Sequence, residues 1–201
     1  MSYVKVLIKA MYEDLKQFLS QFVPLSKEEF GLMEARLFTR TLEKKDYIIK
    51  AGEVENFVYF LNEGLIHQFF FKGKEQITTD IIDKGTIING AVSFLSRNPS
   101  HYYLQAMEPT RLTGISRDDL ETLYQFNNKW QRMGRMLITY YLIRQERDNV
   151  EAIQMPIRER VQQYNIQNPG IIGRVSQRRL ASLLNIKPET LSRIKPSLDQ
   201  S

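Results

Sequence analysis

The chain contains no cysteine, which excludes disulfides, iron–sulfur clusters and thiolate zinc sites, and with them any oxygen or redox sensor built on a thiol. It has two histidines, His67 and His101, too few for a histidine-rich metal site. Long hydrophobic runs are also missing. No stretch approaches the roughly 18–20 apolar residues that cross a bilayer. The opening Met1-Ser2-Tyr3-Val4-Lys5-Val6-Leu7-Ile8-Lys9 carries charge inside its apolar stretch, unlike the uninterrupted core of a secretory signal. There is no glycine-rich phosphate loop, no elbow-type nucleophile and no metal-ligand spacing, and two scattered histidines supply no triad. The paired acids Asp118-Asp119 fall in the first turn of a helix and suit capping. These absences set the expectations: no enzyme, no metal, no cofactor, no membrane partner and a cytoplasmic location.

What is present is an ordinary globular composition, 42% hydrophobic and 25% charged over 201 residues, enough to bury real cores. The net charge is +5, and its placement matters more than its size. Residues 1–155 balance 20 basic against 20 acidic side chains. Residues 156–201 carry eight basic ones (Arg158, Arg160, Arg174, Arg178, Arg179, Lys187, Arg193, Lys195) against Glu159, Glu189 and Asp199. A concentrated basic end suits a polyanion, or else is a solvated basic surface.

Three textures follow one another. From Val4 to Phe22 apolar residues recur at helical spacing up to Pro24. Ser26 and Glu29 then form a capping-box pattern that opens a second helix through about Glu34. From Leu37 to Ser116 the texture turns to β: Tyr47–Ile49, Phe57–Leu61, Leu65–Phe71, Gln76–Ile82, Thr86–Ile88, Tyr102–Ala106 and Leu112–Ile115 are separated by glycine or proline turns, the pattern of a sandwich or roll. Ser116 caps a helix at Arg117. A stretch from about Asn128 to Ile153 then reads as one helix of about 39 Å, with Trp130, Met133, Met136, Leu137, Tyr140, Tyr141, Ile143 and Val150 along it. Its length suits dimerisation along a seam, or packing within one subunit. Pro156 marks the boundary to the basic region. The expected division is a roll with N-terminal helices over 1–127, a dimer helix over 128–155 and a basic C-terminal domain over 156–201.

The segment Gln177 to Lys195 carries the functional signal. Ser176 is an N-cap. Leu180, Ala181, Leu183 and Leu184 form the inner face of a short helix, and Ala181 is small where two helices would cross. Asn185 accepts the left-handed backbone a turn needs. Ile186 plugs the corner, Pro188 suits the first turn of a second helix, and Leu191 and Ile194 bury that helix on the first. This is helix-turn-helix logic. Gln177, Arg178, Lys187, Pro188, Glu189, Thr190, Ser192 and Arg193 belong to the candidate DNA face. Arg193 is placed to meet a guanine edge and Glu189 a cytosine amine. Ser176, Arg178, Arg179 and Lys195 complete the set, the three cations on phosphates. A helical hairpin that only packs remains the alternative.

At Gln177–Lys195, and above all in Pro-Glu-Thr-Leu-Ser-Arg-Ile, the chain resembles the CRP/FNR family. Tyr59–Gly64 and Lys74–Ile77 resemble that family's strand–Gly–strand and hairpin signatures. The resemblance implies an α+β architecture: a double-stranded β-helix (jelly-roll) sensor, a long dimerisation helix and an all-α C-terminal helix-turn-helix. It implies a homodimer on double-stranded DNA, with RNA polymerase as a further partner. It also implies an effector pocket, and there the chain departs. Gly90 is followed by Ala91 where the family has a Gly-Glu pair. Ser100-His101 stands where it has an Arg-Ser/Thr pair, and Arg97 comes three residues early. Cyclic AMP is therefore not the expected effector, since a buried phosphate without a paired cation is costly to desolvate. Backbone amides near Gly90–Ser93 would attract an anion weakly if they open a short helix. Gly90, Ala91, Ser100, His101 and Tyr102 are the candidate ligand residues for an unidentified small molecule. Tyr103, Phe69, Phe71 and His67 are either pocket lining or core. The chain stops seven residues after Ile194, so no β-wing is expected. The remaining alternative in function is a ligand-binding sensor or adaptor that does not read DNA.

Overall fold

The computed structural model describes Tyr3 to Ile194, so Lys195 lies outside the described residues. The chain divides into two compact units, residues 1–68 with 82–139 and residues 69–81 with 140–201.

The first unit opens with α1 (Tyr3–Ser20) and α2 (Lys27–Glu34). Helical spacing in α1 puts Met11, Leu15 and Leu19 on one buried face. The expected capping box at α2 is complete: Ser26 Oγ accepts the Glu29 N–H at 3.2 Å, and the Glu29 carboxylate accepts the Ser26 N–H at 2.7 Å. Eight strands follow: β1 (Phe38–Leu42), β2 (Tyr47–Ile49), β3 (Phe57–Glu63), β4 (Leu65–Lys72), β5 (Glu75–Asp83), β6 (Thr86–Ile88), β7 (Tyr103–Ala106) and β8 (Thr110–Ser116). A short α3 (Ala91–Ser96) lies between β6 and β7, and α4 (Arg117–Phe126) follows β8. The strands form two four-stranded sheets, in the orders β1-β8-β3-β6 and β2-β7-β4-β5.

The core of the roll lies between the sheets. Tyr59, Leu61, Ile88 and Leu112 from one sheet meet Ile48, Ile49, Ile66 and Leu104 from the other. Each such side chain contributes about 1.5–3 kcal/mol by leaving water. The outer face of the first sheet supplies Phe60 and Ile115 to a second cluster with Leu15, Leu19, Phe30, Met33, Leu123 and Trp130 of the helices. Asn62, in β3, crosses this boundary: its Nδ2 donates to the Met11 carbonyl at 2.8 Å, and its Oδ1 accepts from Thr113 Oγ1 at 2.8 Å. Gly64 holds the tight β3–β4 connection at φ 107°, where a Cβ would collide with Thr110.

The strand β1 was absent from the sequence reading, and α3 stood there only as a condition on the amides near Gly90–Ser93. Phe38-Thr39-Arg40-Thr41-Leu42 alternates polar residues through a partly exposed edge strand, so its apolar signal is thin. Pairing with β8 makes it a strand, with Phe38 opposite Gly114.

The helix α5 (Asn128–Gln154) spans 27 residues, close to its expected limits. It buries Trp130 and Met133 near its start. Further along, Ile138, Leu142, Ile143 and Ile153 are exposed. The second unit adds α6 (Ile157–Gln167), α7 (Ile171–Arg174), α8 (Gln177–Leu183) and α9 (Pro188–Ile194). Its buried residues include Val161, Ile171, Leu180, Ala181, Leu184 and Leu191. Both α6 and α8 pack against α9. Among the described residues no helix is long and apolar enough to cross a membrane.

Candidate nucleic-acid interface and ligand corner

The C-terminal candidate face is built on the turn between α8 and α9. Ser176 caps α8, its Oγ accepting the Arg179 N–H at 3.5 Å. The helix ends in a Schellman motif: the Ile186 N–H donates to the Ala181 carbonyl at 2.9 Å, and the Asn185 N–H to the Ser182 carbonyl at 3.1 Å. Asn185 takes φ 51°, the left-handed conformation that such a stop requires. Pro188 then starts α9, where its missing N–H costs nothing. The fully buried Ala181 lies on the α8 side and Leu191 on the α9 side.

This folding leaves a polar surface. Ser176, Gln177, Arg178, Lys187, Pro188, Glu189, Ser192 and Arg193 are exposed, while Arg179 and Thr190 are half-buried. Leu183 and Ile194, expected inside, are also half-buried. Sequence reasoning missed Arg160. From α6, its Nη2 donates to the Leu184 carbonyl at 2.6 Å and its Nη1 to the Ala152 carbonyl at 2.6 Å. Arg160 therefore ties the end of α5 to the end of α8. Its only sequence signal was a positive charge, which read as part of the basic surface.

The residues 69–81 at the tip of the β4–β5 hairpin belong to the same unit. The Thr78 N–H donates to Ser182 Oγ at 3.0 Å, a bond to α8 itself. Asp80 on this tip is affected by Arg144 and Asp148 of α5. Burial pushes its carboxyl above the usual carboxylate range, against the opposing pull of Arg144 and the Ile81 N–H, with Asp148 adding to the rise.

The candidate ligand corner of the roll lies at the start of α3. Gly90 and Ser100, ten residues apart, come together: a Cβ at Gly90 would stand 3.7 Å from Ser100 Oγ. Ser100 is buried, and its Oγ donates to the Tyr102 carbonyl at 3.0 Å and accepts the Tyr102 N–H at 3.1 Å. Ala91 and His101 are exposed, and Tyr102 is half-buried. Arg97 turns back into the protein, with Nη1 on the Glu55 carbonyl at 2.7 Å and Nη2 on Asn56 Oδ1 at 2.6 Å.

The group that sequence reasoning missed here is Glu55, only 3% exposed. Its Oε1 accepts the N–H groups of Asn56 and Phe57, both at 3.0 Å, and its Oε2 faces the Gly90 N–H at 3.4 Å. Burial pushes its carboxyl up from the ordinary range, while the Phe57, Gly90 and Asn56 amides and Arg40 pull it down. Nothing in its local sequence, Val54-Glu55-Asn56, signals a buried carboxylate. Of the aromatic candidates, Phe69 is buried and Phe71 is half exposed, their rings 5.6 Å apart. Tyr103 lies 5.9 Å from Tyr47, and His67 is fully buried.

A cavity of about 380 Å³ lies elsewhere in the first unit, lined by Asp14, Gln17, Phe18, Gln21, Phe60 and Lys84 among others. Among the described residues no cluster of three or more acidic or histidine side chains could hold a metal ion.

Residues 39–127 match the cyclic nucleotide-binding domain. Solved structures of similar fold include the c-di-GMP-responsive global regulator CLP of Xanthomonas campestris, at 14% identity and a TM-score of 0.65, covering 87% of this chain and 92% of that one. FixK2 from Bradyrhizobium japonicum matches at 17% identity and a TM-score of 0.67, over 82% and 85% of the two chains. The catabolite activator protein of Thermus thermophilus matches at 20% identity and a TM-score of 0.55, over 89% and 86%. At such identities the likeness is one of fold. No curated protein sequence matches the chain.

Proposed function

We propose that this chain is a transcription regulator of CRP/FNR type that binds a two-fold DNA site as a homodimer, through a helix-turn-helix made of α8 and α9. The observation that carries the reading is the turn at Asn185. Its left-handed φ of 51° and its Schellman bonds set α9 across α8. Lys187, Glu189, Ser192 and Arg193 are then left exposed at and along α9. A helix presented this way fits the major groove, where Arg193 pairs with a guanine edge and Glu189 accepts from cytosine. Arg178, Arg179 and Lys195 neutralise phosphates. The apolar residues exposed along α5 supply the dimer seam, as in a coiled coil. The protein is cytoplasmic and not an enzyme, and RNA polymerase is its further partner.

The roll is the sensor, and its effector is not cyclic AMP. The Gly90-Ala91 and Ser100-His101 positions lack the acid and the arginine that would hold a cyclic nucleotide. The nearby Arg97 is held by the Glu55 carbonyl and Asn56. The effector, where there is one, is a different small molecule.

Selection from a random-sequence duplex library, with purified protein and no added ligand, tests the reading. Enrichment of an inverted repeat whose half-site centres lie about 10 bp apart, or a multiple of that, is expected. Retention that depends on salt but not on sequence would favour the adaptor instead.

A further inference from the structure

The corner beside α3 already holds a carboxylate, and every polar group of the residue that supplies it is engaged there. Glu55 Oε1 takes two amides and Oε2 faces the Gly90 amide. The Glu55 N–H donates to Ser93 Oγ at 3.0 Å, and the Glu55 carbonyl accepts from Arg97. Gly90 and Glu55 lie side by side, since a Cβ at Gly90 would stand 3.6 Å from the Glu55 Cβ, an ordinary van der Waals contact.

The cations around this corner are committed as well. Arg97 is bound to the Glu55 carbonyl and to Asn56. Arg40 donates to the Tyr47 carbonyl at 2.9 Å and to Tyr59 Oη at 3.2 Å. Arg117 donates to the Phe94 carbonyl at 2.6 Å and pairs with Glu121 at 3.4 Å. The Ser100 hydroxyl is turned onto Tyr102. An incoming phosphate or carboxylate would meet a fixed like charge, and to pair with any of these three arginines it would have to break one of these bonds.

We propose that the Glu55 carboxylate is the resident occupant of the ligand corner, so that the roll admits no anionic effector, cyclic nucleotides included. The amides of Asn56, Phe57 and Gly90 are satisfied from within the chain. An effector that acts at this corner is neutral or cationic. This deepens the reading that the roll answers to something other than cyclic AMP, and it does not depend on what α8 and α9 bind.

The test uses the full chain. Calorimetric titration of the wild type with cyclic AMP, cyclic GMP and cyclic di-GMP is expected to show no binding. A Kd below about 1 mM for any of them would overturn both this proposal and the reading of the effector. Glu55→Ala is expected to melt below the wild type and to recover part of the loss in sodium acetate but not in sodium chloride of equal ionic strength. The wild type should respond to the two salts alike. An equal response in Glu55→Ala would overturn the resident-carboxylate proposal alone. Should Glu55→Ala not fold, Glu55→Gln keeps the side chain's size without its charge. In that variant, hydrogen exchange at the Gly90, Asn56 and Phe57 amides should speed up by about tenfold, the loss of one charge-assisted bond. Unchanged exchange would again overturn the proposal.

Discussion

The Arg160 guanidinium donates from Nη2 to the carbonyl of Leu184 at 2.6 Å, at the point where α8 gives way to the turn. Its Nη1 holds the Ala152 carbonyl near the end of α5 at the same distance. Two helix ends whose last carbonyls lack intrahelical partners thus share one planar cation. Arg160→Ala should cost about 2 kcal/mol, since two charge-assisted bonds are lost and two carbonyls are left unpaired. For a chain of this size that lowers Tm by roughly 4–8 °C, measurable by scanning calorimetry. Arg160→Lys should recover little, because a single ammonium cannot span both carbonyls in one plane. A Tm equal to that of the wild type in either variant would contradict the bridging role.

The turn at Asn185 makes a second prediction. At φ 51°, Asn185→Gly should change stability by less than about 0.5 kcal/mol, while Asn185→Val should cost about 1–2 kcal/mol. Urea unfolding of the two variants against the wild type reads both values. Equal destabilisation by Gly and Val would mean that the Asn185 side chain, and not its backbone conformation, holds the turn.

Asp80 sets a pH dependence whose sign follows from its environment. Burial raises its carboxyl above the ordinary value, with Arg144 opposing the rise. Between the ordinary and the raised pKa the folded chain keeps a proton that the unfolded chain has released, so stability falls as pH rises through that window. Above the raised pKa the loss is complete. Asp80→Asn should flatten this slope and leave the protein more stable than the wild type at neutral pH. Unfolding midpoints collected from about pH 4 to pH 8, the range that brackets a raised carboxylate, would show it. A parallel pair of curves would remove Asp80 from the account.

The exposed apolar side chains of α5 predict an assembly. Leu142 is 61% exposed and Ile153 85%, and eleven residues apart they fall on nearly the same face of a helix. Leu142→Glu should shift a dimer toward monomer in sedimentation velocity while leaving the helical circular dichroism of the fold. A wild type that sediments as a monomer at micromolar concentration would rule out the seam.

On the DNA face the predictions separate by role. Arg193→Ala should cost about 1–3 kcal/mol and relax selectivity at one position of each half-site, whereas Arg178→Ala should weaken binding evenly across sequences and lower the salt slope by about 1. Quantitative binding to an enriched site and to its single-base variants distinguishes the two. Even loss from both would reduce α9 to a phosphate-binding element.

The parts legible in the sequence are those set by neighbours a few residues apart. The capping box at Ser26 and Glu29, the cap at Ser116, the extent of α5 and the left-handed Asn185 all depend on local backbone geometry, and each is found where its pattern placed it. β1 was not legible, because a polar edge strand acquires its identity only by hydrogen bonding to β8. The thin apolar signal of Phe38 and Leu42 could not announce that pairing.

The candidate sites divide along the same line. That Lys187, Glu189 and Arg193 face outward follows from helical periodicity on either side of one turn, which the residues themselves specify. That Arg160 clamps that turn, and that Glu55 sits under Gly90, depends on residues 24 and 35 positions apart meeting in space. No local pattern encodes such encounters. They exist because packing closes the chain on itself, and burial then converts an ordinary charge into one that must find a partner. The sequence by itself determined α1, α2, α4, α5, α8 and α9, the caps at Ser26, Ser116 and Ser176 and the polar face of α9, while only the tertiary structure decided which charges are held inside and what they hold.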